Sequence, residues 1–422
     1  MNRMLPCFLL IAGFVGTTTF CSNASADNWP AWRGPTSNGI AASGDYATSW
    51  SATENVDWKV KLDGRGASTP IVWENNIILT MGRGGKNVLV SYDRSGKQNW
   101  ELEVGTEKAG KHKKASGSNS SCVTDGKLVF AYFKSGDVVA VDLKGNLKWH
   151  HNVQEMFGED TLWWDLGTSP VLTKSHLIIT VMQTGPSYLA AFDKTSGKSA
   201  WKVDRNLNAP EEAAQAYSTP IVEWVDGKER IYVLGADHAT GHDAATGKEL
   251  WRVGGLNPTQ HQYFRSISGP VLAGNMLVAP YARGGSVTGI RLGGSGDVTK
   301  THVAWTALKV GSDVPTPTFR GDRVFICRDR GTLTTLDLKS GEIVDEVLLE
   351  KNRNGFSASP TLAGNHLYLT REDGTTFVVD VSDKAKVIAK NQLEDEFTVA
   401  TPVLVDGNIL LRTYEHLYCI GK

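Results

Sequence analysis

Two stretches of the chain, 156–170 and 257–270, combine aromatic rings with side chains that carry charge or hydrogen-bonding groups. The residues concerned are Trp163, Trp164, Asp165, His261, Tyr263 and Arg265. Aromatic faces beside an arginine can hold a planar or anionic ligand, or form the centre of a protein-recognition surface. The alternative is that these side chains pack on one another and plug a channel.

A second group of charged residues lies in short loops between apolar segments. Its members are Arg83, Lys134, Asp237, His238, Arg283, Asp329, Arg330, Glu372 and Asp373. If the loops surround one opening they form a polar funnel, and otherwise they are ordinary solvated loop tips. His238 and His242 are four residues apart, but they lie in a loop leading into a strand and no third ligand is evident. We therefore expect no metal site.

A basic run occupies the Gly/Ser-rich stretch 107–121. It contains Lys108, Lys111, His112, Lys113 and Lys114. Such a run can bind a phosphate, an anionic glycan or a lipid head group, although it is more often a mobile, solvated loop. It lacks the interleaved aromatic residues of nucleic-acid binders, and the formal net charge of the chain is −1. We expect no nucleic-acid partner.

Familiar catalytic signatures are missing from the sequence. No GxSxG, HExxH or Walker-type GK[ST] pattern stands in a supporting context. Each of these patterns needs a particular strand, turn or helix around it to position the reacting groups. The residues therefore give no independent argument for a hydrolase or a nucleotide-dependent enzyme.

The elements that position these loops are repeats. Four hairpins, at 92–100, 141–149, 192–201 and 242–251, each contain an Asp, then a Gly, then a Trp four residues after the Gly. The Asp residues are 49, 51 and 50 positions apart. Asp can bond the amides of a tight turn, and Gly adopts its positive φ. A period near fifty is typical of repeat architectures, and the tryptophans are expected to dock one unit on the next. The docking set is Trp58, Trp100, Trp149, Trp201, Trp251 and Trp305.

A second repeated signal, of the type STPIV or TSPVL, precedes each hairpin. Counting weaker copies, it marks eight starts, at Pro70, Cys122, Pro170, Pro220, Pro270, Pro317, Pro360 and Pro402. Each start leads into four apolar strands separated by turns, which is the pattern of a β-propeller blade. The eighth unit lacks its last strand, whereas 55–62 is an outer strand without a blade. We predict an all-β, eight-bladed propeller in which this first strand closes the last blade.

The Asp-turn-Gly-Lys-x-x-Trp hairpins resemble the repeats of pyrroloquinoline-quinone-type propellers, and the resemblance extends over nearly all of the chain from Asn55 onward. In size the chain resembles the noncatalytic eight-bladed members, including the BamB-type outer-membrane assembly lipoproteins. The stretch 28–41 resembles the N-terminal segment of many secreted bacterial propellers of this family. The resemblance implies a PQQ-like propeller over 55–422, with residues 27–54 packed on it as an N-terminal segment.

Catalytic members of the superfamily hold a quinone against a Trp and coordinate Ca²⁺ with carboxylate and amide oxygens, and many carry a Cys-Cys disulfide. This chain has no Cys-Cys pair and no CxxCH for haem, and it is shorter than those enzymes. We therefore favour a noncatalytic binding scaffold that docks a protein or an extracellular ligand, without a cofactor. The alternative is a divergent quinoprotein alcohol or sugar dehydrogenase using PQQ and Ca²⁺, with Trp163 or Trp164 as stacking platform and Asp165 as base or Ca²⁺ ligand.

The first 26 residues read as a secretory signal, with Arg3, an apolar run at 7–16 and a cleavage site after Ala26. We expect an exported, periplasmic or extracellular monomer without a transmembrane segment. Cys7 and Cys21 fall inside the signal, and the residues before Cys21 fit a lipidation site poorly. The other cysteines, Cys122, Cys327 and Cys419, are expected to be buried free thiols, with a disulfide as the alternative.

Overall fold

The fold is an eight-bladed β-propeller of four-stranded antiparallel blades, as the sequence predicts. The computed structural model of the protein describes residues 27–42, 44–394 and 396–422. The predicted signal segment, with Cys7 and Cys21, lies outside the described residues. Each inner strand begins one residue after its predicted start, for example at Ile71 after Pro70 and at Val403 after Pro402. The proline therefore ends the incoming loop and fixes where the blade begins.

The strands of each blade follow one another outward from the central channel. Blade one has Ile71–Trp73, Asn76–Arg83, Lys86–Tyr92 and Gln98–Thr106, and blade two has Val123–Thr124, Leu128–Tyr132, Asp137–Asp142 and Leu147–Asn152. Blade three has Val171–Leu172, His176–Val181, Tyr188–Asp193 and Ser199–Asp204, and blade four has Ile221–Val225, Lys228–Gly235, His238–Asp243 and Glu249–Val253. Two short helices, Val153–Phe157 and the 3₁₀ turn Glu211–Ala214, lie in the connections between these blades.

Blades five to eight repeat the arrangement. Blade five has Val271–Ala273, Met276–Tyr281, Ser286–Arg291 and Val303–Leu308, and blade six has Thr318–Arg320, Arg323–Cys327, Thr332–Asp337 and Ile343–Leu348. Blade seven has Thr361–Ala363, His366–Thr370, Thr376–Asp380 and Lys386–Asn391, and blade eight has Val403–Val405, Asn408–Arg412, His416–Ile420 and Val56–Lys61. Two further short helical segments, Ala282–Gly284 and Thr299–His302, lie within blade five.

Ring closure occurs between the two ends of the described chain. The strand Val56–Lys61 pairs antiparallel with His416–Ile420, which confirms the predicted closure. The buried Arg412 of blade eight also donates hydrogen bonds of 2.8 Å to the carbonyls of Ser68 and Thr80 in blade one. Closure gives His416–Ile420 an outer neighbour, so blade eight has four strands and that strand is not left as an exposed edge.

The hairpin motif has a physical explanation in the contact between blades. The carboxylate of Asp142 accepts hydrogen bonds from the amides of Lys144 and Asn146, and this holds Gly145 at a φ of 82°. The ring of Trp100, from the preceding blade, covers this glycine, where an added Cβ would lie 2.6 Å away. Its indole donates to the carbonyl of Leu143 at 2.9 Å. Gly is therefore needed both for the turn and for the neighbouring tryptophan.

The same tryptophan-to-turn bond recurs at three further blade junctions, whereas Trp201 covers Gly247 without donating a hydrogen bond to any described residue. Trp58, Trp149 and Trp305 donate to carbonyls in the turn of the following blade. Trp251 faces a different structure, because blade five has Arg291 where the motif has Asp. There the chain instead adds the short strand Gly296–Asp297, which pairs parallel with the outer strand of blade four.

A chain of hydrogen bonds links the starts of the inner strands around the ring, and it accounts for the Ser or Thr that precedes most of the starts. At seven of the eight starts the residue before the strand donates its amide to the hydroxyl of the equivalent residue in the next blade, at 2.8–3.3 Å, and seven residues supply these hydroxyls. We call these residues the hydroxyl belt: Thr69, Ser121, Ser169, Thr219, Thr316, Ser359 and Thr401. The belt is interrupted only at Gly269, which donates its amide but has no hydroxyl.

Removing one belt hydroxyl is expected to destabilise the propeller. Ser169→Ala leaves the buried amide of Ser121 without an acceptor, and an unpaired buried donor costs about 1–3 kcal/mol. Chemical denaturation monitored by tryptophan fluorescence measures this loss. Ser199→Ala, on an exposed outer strand, is the matched control and is expected to change stability by less than about 0.5 kcal/mol. Equal stability of the two variants would show that the belt bond contributes nothing.

The segment 27–54 packs on the ring, and its first part crosses the lower end of the central channel. Trp29 exchanges two backbone hydrogen bonds of 2.8 Å with Val72 in blade one. Further along, the carbonyl of Gly39 accepts from the amide of Leu362 in blade seven at 2.8 Å. Between them the side chain of Arg33 is fully buried. Because the side chain of Asn38 also accepts from the amide of Leu272 in blade five at 3.0 Å, the segment ties together blades on opposite sides of the ring.

The three cysteines that the structure describes, Cys122, Cys327 and Cys419, are buried free thiols. Burial raises the pKa of the Cys122 thiol to about 12, so it stays protonated and behaves as a small apolar side chain. Within residues 27–42, 44–394 and 396–422, no helix is long and apolar enough to cross a membrane.

Candidate functional site

The upper end of the channel, where the inner strands begin, opens into a cup of about 800 Å³. Trp32, from the segment that crosses the lower end, is part of its lining, together with belt residues and the loops of the upper face. The volume lies within the range of small-molecule pockets. We call this space the cup.

Trp163 and Trp164 are held differently although they are adjacent. The indole of Trp164 lines the cup, is 43% exposed and donates to Glu212 at 2.7 Å. His112 packs edge-on against it, with ring centroids 5.6 Å apart. Trp163 is 42% exposed but lies outside the cup lining. Trp164 is therefore the aromatic surface available to a ligand inside the cup, and Trp163 is available to a larger partner.

Asp165 lies in the cup wall, but structural bonds occupy its carboxylate. It forms a buried ion pair with Lys134, and each side chain is only 1% exposed. The amides of Lys111 and His112 also donate to it, at 2.8–2.9 Å. A carboxylate with a cation and two amides bound has little capacity left for a substrate proton or a metal ion. Asp165 therefore anchors the basic segment to blade three.

The basic segment 107–121 has specific contacts along its length. In addition to the bonds at Asp165, Lys114 forms an ion pair with Glu372 of blade seven at 2.6 Å. Lys111 donates from its ammonium to the carbonyl of Leu162 at 2.7 Å. The segment thus connects blades three and seven across the edge of the cup, and the expected mobile loop is here a strap.

On the opposite side, Arg265 lies in a cluster of charges. Its guanidinium lies 3.3 Å from Glu212 and 3.3 Å from Asp313. Asp313 is also 3.5 Å from Arg283, which is nearly half exposed. Because Arg265 lies beside both carboxylates it is committed to the wall, whereas Arg283 approaches only Asp313 and retains donors that face solvent.

Two further arginines of the cup lining carry no partner. Within the described residues, Arg330 and Arg353 form neither an ion pair nor a side-chain hydrogen bond, and both are exposed. Nearby Asp329 accepts from the amides of Asp313 and Val314 at 2.8 and 3.1 Å. Burial, with the adjacent charge of Asp313, raises the pKa of Asp329. Sequence reasoning missed Arg353, because it lies in a polar loop without a repeat signature.

Several residues predicted for the site lie away from the cup. Asp237 is buried and accepts from the hydroxyl of Tyr281 at 2.9 Å and from Asn257 at 3.1 Å. Burial raises the pKa of its carboxyl. His238 bonds the carbonyl of Ala236 at 2.6 Å. The structure therefore uses this turn to order its own loop, and neither side chain lines the cup.

His261 and Tyr263 lie on the upper face but outside the cup lining. His261 stacks on Phe264 with centroids 4.3 Å apart and packs edge-on against Tyr263 at 5.8 Å. Tyr263 is 43% exposed. The loops that carry Trp163 and Tyr263 are both bonded to the segment 213–215, and we call the exposed rings of Trp163, His261 and Tyr263 the aromatic rim, which can contact a partner larger than the cup.

His242 belongs to a buried hydrogen-bond chain and is separate from His238. Arg205 donates to the hydroxyl of Thr240, that hydroxyl donates to Nε2 of His242, and Nδ1–H donates to the carbonyl of Gly247. The distances are 2.9, 2.9 and 3.0 Å. Burial, and next the charge of Arg205, lower the pKa of His242 to about 4. This ring is therefore neutral in the folded protein.

The low pKa of His242 predicts acid sensitivity. Because unfolding restores an ordinary His pKa near 6.5, the unfolded chain binds the extra proton first and stability falls between about pH 7 and pH 4. The loss reaches about 3 kcal/mol when the pH nears 4. Denaturation midpoints measured across this range are expected to vary less in His242→Gln than in the natural chain. The control His366→Gln is expected to retain the full pH dependence.

The donor set does not fit the Ca²⁺-dependent quinone site of catalytic propellers. Ca²⁺ takes six to eight oxygen ligands, several of them carboxylates. Among the described residues, no three His, Cys, Asp or Glu side chains come together to hold a metal ion. Three of the cup carboxylates, Asp165, Asp313 and Glu372, are each already bonded to a cation, and the fourth, Asp329, accepts two backbone amides. These carboxylates therefore do not provide a ligand set for Ca²⁺ and a quinone.

Comparison with protein families gives one match over most of the chain. The family model described as outer membrane protein assembly factor BamB matches residues 31–203 and 160–390. Together these ranges include the strap, seven of the eight inner strands and all of the cup lining except Val399 and Thr401. No curated protein matches the chain at a significant level.

Solved structures share the fold at low sequence identity. BamB from Moraxella catarrhalis is 14% identical with a TM-score of 0.61, covering 86% of this chain and 98% of its own. A europium-containing methanol dehydrogenase is 10% identical with a TM-score of 0.71, covering 94% and 98%. The quinohemoprotein alcohol dehydrogenase from Comamonas testosteroni is 12% identical with a TM-score of 0.68, covering 95% and 82%. Identities this low establish a common propeller fold only.

Proposed function

The chain belongs to the family of the outer membrane protein assembly factor BamB, and we propose that it is an exported, noncatalytic binding protein. It holds its ligand or protein partner at the cup and the aromatic rim. Export is supported by the signal-like composition of residues 1–26, which lie outside the described part of the structure.

The proposal rests on one observation: the carboxylate best placed to act as a base is occupied by structural bonds. Asp165, the candidate base, is paired with buried Lys134 and with the amides of the strap. The side chains that remain available are aromatic or cationic, namely Trp164, Arg330 and Arg353. Exposed aromatic and arginine side chains are those that dominate the energetics of recognition surfaces.

A quinoprotein dehydrogenase is the second candidate, favoured by Trp164, whose ring lies partly exposed inside the cup. An aromatic face in a pocket of this size offers a stacking surface for a planar cofactor. The engaged carboxylates argue against this candidate, because a stacking surface alone provides neither a base nor a metal ligand.

Position-specific photocrosslinking in the native host tests the binding function. A photoreactive residue at position 163 or 263, on the aromatic rim, is expected to give adducts with a partner or ligand, detected by mass spectrometry. The same residue at exposed outer-strand positions 147 and 308 is the control and is expected to give none. Adducts from the outer strands alone would overturn the assignment of binding to this face.

A further inference from the structure

The chemistry of the cup is unusually rich in hydrogen-bond donors. Five belt residues line it: Thr69, Ser121, Ser169, Ser359 and Thr401. All are at least nine-tenths buried, and each hydroxyl oxygen accepts an amide from the preceding blade. A hydroxyl that accepts through a lone pair still has one proton to donate.

Those protons have no acceptor in the protein. Within the described chain, none of the five hydroxyls donates a hydrogen bond to another residue; the only bonds they make are the accepted amides. A buried polar group without a partner is costly unless water or a ligand completes it. The belt therefore presents a ring of donors to whatever occupies the cup.

The arginines add positive charge to this donor ring. Arg330 and Arg353 have no carboxylate partner among the described residues, and Arg283 is only loosely paired at 3.5 Å. The acidic residues of the lining are bonded to cations or backbone amides of the wall, and within the described residues none of them forms an ion pair with Arg330 or Arg353. Guanidinium groups bind carboxylate and phosphate oxygens through paired hydrogen bonds.

From this we infer that the cup binds a compact organic polyanion, whose carboxylate or phosphate oxygens accept hydrogen bonds from Arg330, Arg353 and the hydroxyl belt. This deepens the proposed binding function and rests on it. Because Trp32 lies in the lining below, such a ligand enters from the upper face and meets the aromatic face of Trp164 inside. The cup volume accommodates a molecule of the size of citrate or a sugar phosphate.

Isothermal titration of the purified chain with citrate, glucose 6-phosphate and neutral glucose tests the inference. At least one of the two anions is expected to bind with one-to-one stoichiometry, and glucose is expected not to bind. Citrate binding more tightly than glucose 6-phosphate would assign a polycarboxylate ligand, and the reverse would assign a phosphate ester. Failure of both anions to bind, or equal binding of glucose, would overturn the inference.

Paired variants locate the site. The double variant Arg330→Gln, Arg353→Gln is expected to weaken anion binding by about tenfold or more, because two charge-assisted contacts are lost. Arg291→Gln, Lys300→Gln removes the same charge at exposed positions outside the cup and is expected to change affinity less than about twofold. Equal weakening by both pairs would show diffuse attraction and no site. Adducts at positions 163 and 263 would persist in that case, leaving the binding function intact.

Discussion

Arg33→Ala is expected to destabilise the propeller by about 4 kcal/mol, because a single guanidinium joins two blades from inside the ring. It donates to the carbonyl of Pro360 at 2.9 Å and to that of Pro317 at 2.6 Å, and to Asn38 in its own segment at 3.0 Å. Burial lowers the pKa of Arg33 to about 9. Removing the side chain leaves three carbonyls without this donor in a site closed to bulk water.

Equilibrium denaturation measures the effect, and two further variants define it. Arg33→Lys keeps the charge but lacks the planar fork that reaches three carbonyls, so we expect an intermediate loss. Arg291→Ala, at an exposed outer position, is expected to change stability by less than about 0.5 kcal/mol. If Arg33→Ala is as stable as Arg291→Ala, the N-terminal segment does not hold the ring together.

Asp165→Asn is expected to be comparably damaging, with a loss of about 3–5 kcal/mol, because it leaves the ammonium of Lys134 buried without its counter-charge. The ammonium would retain only neutral acceptors, among them the carbonyl of Ala109 at 2.7 Å. The amides of Lys111 and His112 would also lose one of the two carboxylate oxygens that accept from them, and we expect the strap to detach. Denaturation measures the stability, and hydrogen exchange of residues 107–121 reports the strap.

The control is the exposed pair formed by Lys202 and Asp204. Asp204→Asn is expected to change stability by less than about 0.5 kcal/mol, since its side chain is 69% exposed. The double variant Lys134→Met, Asp165→Leu removes both buried charges and is expected to recover part of the stability. If instead Asp165→Asn is fully stable, its carboxylate is not structural and the case for a catalytic role reopens.

The propeller was predictable because its determinants are local and repeated. Asp142, Gly145 and the next Trp lie within one hairpin, and the same residue types recur at a spacing near fifty. The closing strand was predictable for a different reason, since an outer strand at 55–62 needed a partner. Local turn chemistry and a count of strands are sufficient for both inferences, without knowledge of any contact between distant residues.

The belt was only half predictable. The Ser or Thr before each start is visible in the sequence and correctly marks where the inner strand begins. Its bond to the next blade is not visible, because that bond joins residues about fifty positions apart and depends on the packing of neighbouring inner strands. Gly269 appeared in the sequence as one more variant of the motif, and only the fold shows that the belt is interrupted there.

The charged loops were the least predictable part of the site. Lys134 and Asp165 are 31 residues apart, and nothing local indicates that they form a buried pair. Arg33, without a nearby acid, gives no sequence signal for binding to carbonyls of Pro317 and Pro360. Glu372 is bonded to Lys114 of a segment 258 positions away. Burial and distant partners decide the role of such residues, and neither property can be derived from residue type.

The most direct test of the noncatalytic function is a calorimetric and absorbance titration of the purified chain with pyrroloquinoline quinone and Ca²⁺, followed by a dye-linked oxidation assay over alcohols and sugars. We predict that Ca²⁺ produces no tight, one-to-one quinone binding and that no substrate is oxidised above the rate without protein. Stoichiometric, Ca²⁺-dependent binding with turnover that is lost in Trp164→Ala would contradict the account and establish a quinoprotein dehydrogenase.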